Sequence, residues 1–151
     1  MIRPARETDH EALIGLAVAC GLFEPAQTEL LAELLRCPGS SDIWFTDELA
    51  GVLVGVSYLA PEKMTHGTWN LYWVAIHPAH QKQGRGRAML GYVETWLRER
   101  NQRLLIVETA GTEEFEYVRK FYRENGFEME GTIRDFYDAG VDKIVFRKSF
   151  D

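Results

Sequence analysis

The chain is poor in the residues that would announce a metal or a redox centre. It has two cysteines, Cys20 and Cys37, and neither sits in a Cys-x-x-Cys or other metal-ligand spacing. Both read as free thiols in or beside helical stretches. His66, His77 and His80 are not spaced as a metal site, and no Ser-His-Asp or Cys-His arrangement stands out. No metal is expected. No apolar run approaches the length that crosses a bilayer, and "MIRPARETDHEAL" lacks the apolar core of a secretion signal. These absences give the expectation of a cytoplasmic protein with no membrane contact. Positive charge is in deficit: Lys plus Arg is 17 against 23 Asp plus Glu, a net charge of −6. Nucleic-acid binding wants a basic face, so no nucleic-acid partner is expected. Repeats, low-complexity stretches and linkers are lacking too, so residues 1–151 read as a single domain.

What is present is ordinary for a globular chain, 46% hydrophobic and 26% charged. Thr8-x-x-Glu11 has the form of a capping box ahead of Leu13, Leu16, Ala17 and Cys20 at helical spacing, with Gly21 as the stop. A second helix runs from Pro25 to Cys37, with Leu30, Leu31, Leu34 and Leu35 as its apolar face and Pro38-Gly39 beyond it. "DIWFTDELAGVLVGVSYLAP" reads as two strands turning near Glu48, and "TWNLYWVAI" (68–76) as a third. From Gly84 the pattern becomes helical to about 100, with Leu90, Val93, Trp96 and Leu97 on one face and Glu94 and Arg98 placed to pair at i, i+4 on another. "RLLIVET" (103–109) is a near-continuous apolar run, as in a buried parallel strand. Phe115, Val118, Phe121 and Tyr122 mark a further helix stopped by Gly126. Two alternating strands then turn at Ala139-Gly140. The order β-α-α-β-β-β-α-β-α-β-β specifies an α/β fold: a mixed, mainly antiparallel central sheet, helices on both faces, and one parallel crossover.

Against the acidic background, "HPAHQKQGRGRAML" (77–90) gathers Lys82, Arg85 and Arg87 around Gly84 and Gly86. A helix N-terminus offers unpaired N–H groups and partial positive charge, and glycine lets backbone approach an anion closely. The loop therefore reads as a phosphate site. A Walker loop is absent from the sequence. A dinucleotide-binding Gly-x-Gly-x-x-Gly would need glycine where Met89 stands, although Glu108 could serve as its ribose-binding acid, so a nicotinamide oxidoreductase stays open here.

"LYWVAIHPAHQKQGRGRAML" resembles the acyl-CoA-binding motif of the GNAT superfamily of N-acetyltransferases, with its Q/R-x-x-G-x-G/A at Gln81, Gly84 and Gly86. "FYRENGF" (121–127) resembles the family's next helix end, and with the element order the likeness covers essentially the whole chain. The resemblance implies acetyl-CoA as cosubstrate and an amine as acceptor. It implies that the amides of Lys82, Gln83, Gly84, Arg85, Gly86 and Arg87 hold the pyrophosphate, and that Val74, Ala75 and Ile76 pair with the pantetheine arm. It implies Glu108 as general base and Tyr122 as the general acid beside the sulfur. The family's pantetheine-binding Asn has no counterpart in "TAGTEEFEYVRKFY"; Glu113, Glu116 and Tyr117 are the nearby candidates for that contact, and Arg123 one for the 3′-phosphate.

The chemistry is consistent with these roles. A lysine amine costs roughly 4.6 kcal/mol to deprotonate at pH 7, and a peptide α-amine about 1 kcal/mol, so a base is useful in proportion to the acceptor's basicity. Cys20 and Cys37 lie far in sequence from the motif, which gives the expectation of direct transfer in a ternary complex. Trp69, Asn70, Tyr72, Asp135, Phe136 and Tyr137 are the acceptor-site candidates, since aromatics with a carboxylate suit a cationic amine. The alternative is an acyl-CoA-binding regulatory domain without turnover. A homodimer is left open.

Overall fold

The structure, a computed structural model, describes residues 1–21, 28–36 and 41–150. Its strands are β1 (Ile2–Pro4), β2 (Ile43–Leu49), β3 (Val52–Pro61), β4 (Thr68–Ile76), β5 (Leu104–Ala110), β6 (Glu128–Asp138) and β7 (Val141–Ser149). Its α-helices are α1 (His10–Ala19), α2 (Thr28–Arg36), α3 (Arg85–Glu99) and α4 (Glu116–Glu124). The strands hydrogen-bond in the order β1-β2-β3-β4-β5-β7-β6, one seven-stranded sheet. β4 and β5 pair in parallel, and the other described pairs are antiparallel. The element order and the mixed sheet agree with the sequence reading. No helix among the described residues is long and apolar enough to cross a membrane.

The residues fall into two compact units: Met1–Ala60 with Tyr72–Trp96, and Pro61–Leu71 with Leu97–Asp151. In the first, Leu13, Leu16 and Ala17 of α1 and Leu31 and Leu35 of α2 are buried in one cluster with Val56 and Ala75. Each buried leucine contributes about 2 kcal/mol over its exposed state. Val56 has a neighbour, Ser57, whose hydroxyl meets Met89 of α3 at 3.4 Å. Successive strand residues point to opposite faces, so α1 and α2 cover one face of β3 and α3 the other. Phe45, paired with Ser57 in register, packs edge-on against Tyr92 and Trp96 of α3.

In the second unit, β5 is buried at Leu105, Val107 and Thr109 and half-buried at the residues between. The apolar run is thus covered fully on one face only, where Phe146 of β7 pairs with Val107 and meets Tyr122 of α4.

Several boundaries differ from the sequence reading. Thr8 makes no cap. It lies in a 3-10 turn, Glu7–Asp9, where the Asp9 carboxylate accepts the Arg6 N–H at 2.7 Å and clasps Arg3. The β2–β3 turn falls at Ala50-Gly51, later than Glu48, because both residues there have positive φ (50° and 81°), the form that matches strand twist. On α2, Leu31 and Leu35 are buried while Leu30 is exposed. The expected start of this helix at Pro25, Cys37 and the Pro38-Gly39 stop lie outside the described residues. Glu94 is buried. Tyr122 is the core aromatic of α4, and Phe121 is only half-buried.

Candidate active site

The loop after β4 is held from both sides. The His77 N–H donates to the Val54 carbonyl at 2.8 Å, and its Nδ1 accepts from the Ala79 N–H at 3.1 Å. Gln81 turns its side chain back and donates Nε2 to the Ile76 carbonyl at 2.9 Å. Two left-handed residues follow, Lys82 (φ 60°) and Gly84 (φ 78°). α3 then opens with the Ala88 N–H donating to the Gly84 carbonyl at 3.0 Å. The amides of Arg85, Gly86 and Arg87 precede that first helical bond and are left without an intrahelical partner. A left-handed non-glycine costs about 1 kcal/mol and persists where its surroundings demand it, as at ligand clamps; here that residue is Lys82. A Cβ built at Gly84 would meet nothing within 4 Å. Its glycine therefore serves the backbone angle, and its open side faces free space. Gln83, Gly84, Arg85 and Ala88 line a groove of about 370 Å³. A larger groove of about 640 Å³ is lined by Arg3, paired with Asp9 and Glu48, and contains none of the cofactor, catalytic or acceptor residues expected from the sequence.

The three loop cations are not equivalent. Arg85 is turned inward: its Nη1 lies 2.8 Å from Oδ2 of Asp47, whose side chain is only 4% exposed and whose Oδ1 takes the Met1 ammonium at 3.2 Å. Lys82 and Arg87 are exposed and make no ion pair among the described residues. On β4, Val74 is half-buried and Ala75 and Ile76 are buried. Tyr72 and Trp73 both approach the Tyr58 ring, at 5.4 and 5.3 Å. Neighbours in a regular strand face opposite ways, so β4 departs from strict alternation there.

Glu108 lies within β5, two residues before its end. Both of its oxygens are engaged: Oε1 accepts from Asn70 Nδ2 at 3.1 Å, and Oε2 pairs with Lys143 Nζ at 2.8 Å. The register explains the meeting. Asn70 pairs with Ile106 on β5, and Lys143 pairs with Ala110, so all three side chains share one face of these strands. Asn70 Nδ2 also donates to Glu62 Oε1 at 3.0 Å, so one amide nitrogen serves two carboxylates. Asn70 is 1% exposed, and its Oδ1 has no hydrogen-bond partner. Lys143 Nζ stands 4.0 Å from the centre of the Phe136 ring. Burial, and next the nearby Glu108 carboxylate, raise the pKa of Tyr137.

Tyr122 is 5% exposed among Phe121, Phe127 and Phe146. Burial raises its pKa, keeping the phenol protonated, and no partner engages its hydroxyl among the described residues. Its neighbour Phe146 faces the side of β5 that carries Val107, so Tyr122 and Glu108 stand on opposite faces of that strand. The loop joining β5 to α4 is tied by Arg119, whose Nη1 donates to the Ala110 and Thr112 carbonyls at 2.7 and 2.9 Å. Glu116 is taken up by Arg119 and Arg123, which hold its carboxyl below the usual range. Arg123 is thereby paired with Glu116, and Tyr117 is exposed.

Of the acceptor candidates, Asn70 meets Glu108 and Phe136 meets Lys143, as above. Trp69 is buried and donates its indole N–H to Gln102 at 2.8 Å. Tyr72 is 45% exposed and stacks on Tyr58. Asp135 shapes the β6–β7 turn, where its Oδ1 accepts the Gly140 N–H at 2.8 Å. Tyr137 stands near Glu108. Sequence reasoning missed Lys143 and Asp47, since nothing in a local pattern joins residues 35 and 38 positions apart, and it missed Glu62 and Arg119, whose contacts depend on how a strand end and a loop fold back. Met89, at the third position of a dinucleotide fingerprint, is fully buried against Ser57, where that fingerprint uses glycine to bring helix and strand together.

Comparison with known proteins decides the family. The family model for the acetyltransferase (GNAT) domain matches residues 39–129. The chain belongs to the GNAT acetyltransferases. Among solved structures, a GNAT-family protein from Desulfovibrio desulfuricans is 30% identical, with 99% of this chain and 98% of that one covered at a TM-score of 0.91. The Escherichia coli ribosomal-protein-S18-alanine N-acetyltransferase is 21% identical, covering 100% and 94% at a TM-score of 0.84. The aminoglycoside 6′-N-acetyltransferase from Enterococcus faecium is 15% identical, covering 99% and 96% at a TM-score of 0.80. Another aminoglycoside 6′-N-acetyltransferase in this GNAT group was solved with coenzyme A. No curated protein matches the chain in sequence.

Proposed function

We propose that this acetyltransferase moves an acetyl group from acetyl-CoA to a primary amine, either a small molecule or a peptide N-terminus, by direct transfer in a ternary complex. The observation that carries this reading is the loop after β4, where left-handed Lys82 and Gly84 open a helix whose first residues line a groove. That loop fits a pyrophosphate: it offers amides without helical partners, an unobstructed Gly84 and two exposed cations with no ion pair among the described residues. The amides of residues 82 to 87 hold the pyrophosphate, and Lys82 and Arg87 add charge. Each charge-assisted bond contributes about 1.5–3 kcal/mol. Gln81 braces the loop, and Val74 to Ile76 accompany the pantetheine arm. A GNAT neighbour solved with coenzyme A supports the same cosubstrate here.

Acetyl-CoA supplies the activated thioester. Glu108 accepts the proton of the attacking amine, directly or through water, as the new C–N bond forms. Tyr122, kept protonated by burial, gives its proton to sulfur as the C–S bond breaks. Their places on opposite faces of β5 suit an amine arriving on one side and a thiol leaving on the other. The cytoplasmic location expected from the sequence goes with this reading.

A panel of primary amines with acetyl-CoA, read by free-thiol release, tests it. Acceptor-dependent thiol release that falls at least tenfold in Tyr122→Phe is the expected result. Coenzyme A binding with no acceptor-dependent release from any amine would replace the reading with a silent acyl-CoA-binding domain.

A further inference from the structure

The proposed base does not stand alone. Glu108 is clasped by Lys143 at 2.8 Å and by Asn70 at 3.1 Å, and the contact is sheltered, with Lys143 and Glu108 side chains 11% and 24% exposed. Lys143 is fixed on its other side by the Phe136 ring at 4.0 Å, so it is no loose surface cation. The neighbouring groups are Glu62, joined through Asn70, and Tyr137, with Asp135 and Asp142 occupied in the β6–β7 turn, where Asp142 Oδ1 accepts the Asp135 N–H at 3.0 Å. Without Lys143, Glu62 and Glu108 would present two carboxylates around one amide. That would be an attractive seat for an ammonium and a stronger proton acceptor. With Lys143 in place, the Glu108 charge is already balanced, and an incoming ammonium meets a like charge at the carboxylate it must reach.

We propose that Lys143 is a specificity-determining residue that restricts the acceptor to weakly basic amines such as peptide α-amines, at the expense of strongly basic ones such as lysine side chains. The proposal rests on Glu108 as the base. Lys143 acts through Glu108 and takes no proton itself. At pH 7 an α-amine with pKa about 7.8 is neutral in roughly one molecule in seven and asks little of a charge-balanced base, whereas a lysine amine with pKa about 10.4 is neutral in only about one in 2,500 and must be deprotonated against Lys143.

The test uses two peptides of one sequence. One has a free N-terminus and no lysine; the other is N-acetylated and carries one lysine. Thiol release from acetyl-CoA at pH 7.0 gives kcat/KM for each. Lys143→Met should narrow the preference for the α-amine at least tenfold, chiefly by a gain on the lysine peptide. Lys143→Arg, which keeps the charge, should hold the ratio within about threefold of the wild type. A ratio unmoved by Lys143→Met overturns the proposal. A second measurement needs no variant: for wild-type protein and a series of small primary amines of graded basicity, kcat/KM per total amine should fall as basicity rises. A flat or rising series also overturns it. Glu108→Gln separates this from the reading beneath it. If that variant leaves α-amine turnover unchanged, the base assignment falls and the proposal with it. If turnover drops at least a hundredfold while Lys143→Met leaves the ratio fixed, only the proposal falls.

Discussion

Replacing Gly84 by alanine separates the two things a glycine can do in this loop. At φ 78° an L-residue pays a backbone penalty of about 1 kcal/mol, and no side-chain clash adds to it, because the new Cβ would meet nothing within 4 Å. For a domain of this size that corresponds to a fall in Tm of about 2–4 °C. Gly84→Val, with a branched side chain in the left-handed region, would strain the fold more and give a less readable answer. The same Cβ enters the groove in which the loop amides meet the pyrophosphate. Displacing the anion from two charge-assisted amide bonds costs about 3 kcal/mol or more, a loss of over a hundredfold in affinity. Calorimetric titration of coenzyme A, with thermal melts of both proteins, measures the two effects separately. A small Tm shift with lost affinity is expected. Unchanged affinity in folded Gly84→Ala would refute the loop as the pyrophosphate cradle.

Asp9→Asn should remove a stabilising carboxylate from the Arg3–Asp9–Glu48 cluster. Arg3 holds the Asp9 pKa below its ordinary value, so this contribution is complete above the unfolded value near 4 and fades as pH falls through the lower folded value. Melts from pH 7 to pH 2.5 should therefore show the two proteins converging at the acid end. Burial pushes the Cys20 thiol up to about 11, so peptide mapping after iodoacetamide at pH 7.5 should find Cys20 labelled far more slowly than a free cysteine peptide. Arg119→Met should leave the Ala110 and Thr112 carbonyls without their shared donor and lower stability by about 2 kcal/mol, read as a fall of roughly 4–8 °C in Tm.

The legible parts of the molecule were those specified by neighbours in the chain. Strand 68–76 was read to the residue because its aromatic and β-branched run ends at His77-Pro78, and the helix after Gly84 because its period changes there. The turn at Ala50-Gly51 was misplaced because alternation runs through Glu48 and only the backbone angles mark the reversal. Which of Phe121 and Tyr122 is the core residue was not legible, because helical spacing admits either and the packing of Phe127 and Phe146 decides it. The loop could be read as an anion site from glycine, proline and charge. The inward turn of Arg85 could not, because it depends on Asp47, a residue 38 positions away. The same holds for Lys143, whose meeting with Glu108 follows from the register of β5 against β7.

The Arg85–Asp47 pair also bears on how a polyanion finds this protein. The loop carries three positive charges, yet one of them is cancelled at 2.8 Å by a carboxylate closed off from water. Around what is left, the chain carries a net charge of −6. At physiological ionic strength charges are largely screened beyond about 8 Å, so an approaching coenzyme A gets little pull from Lys82 and Arg87 until it is close, and at lower salt it meets the repulsion of the whole molecule first. Added salt should ease that approach, so capture here is a short-range affair of contact, with little steering from afar.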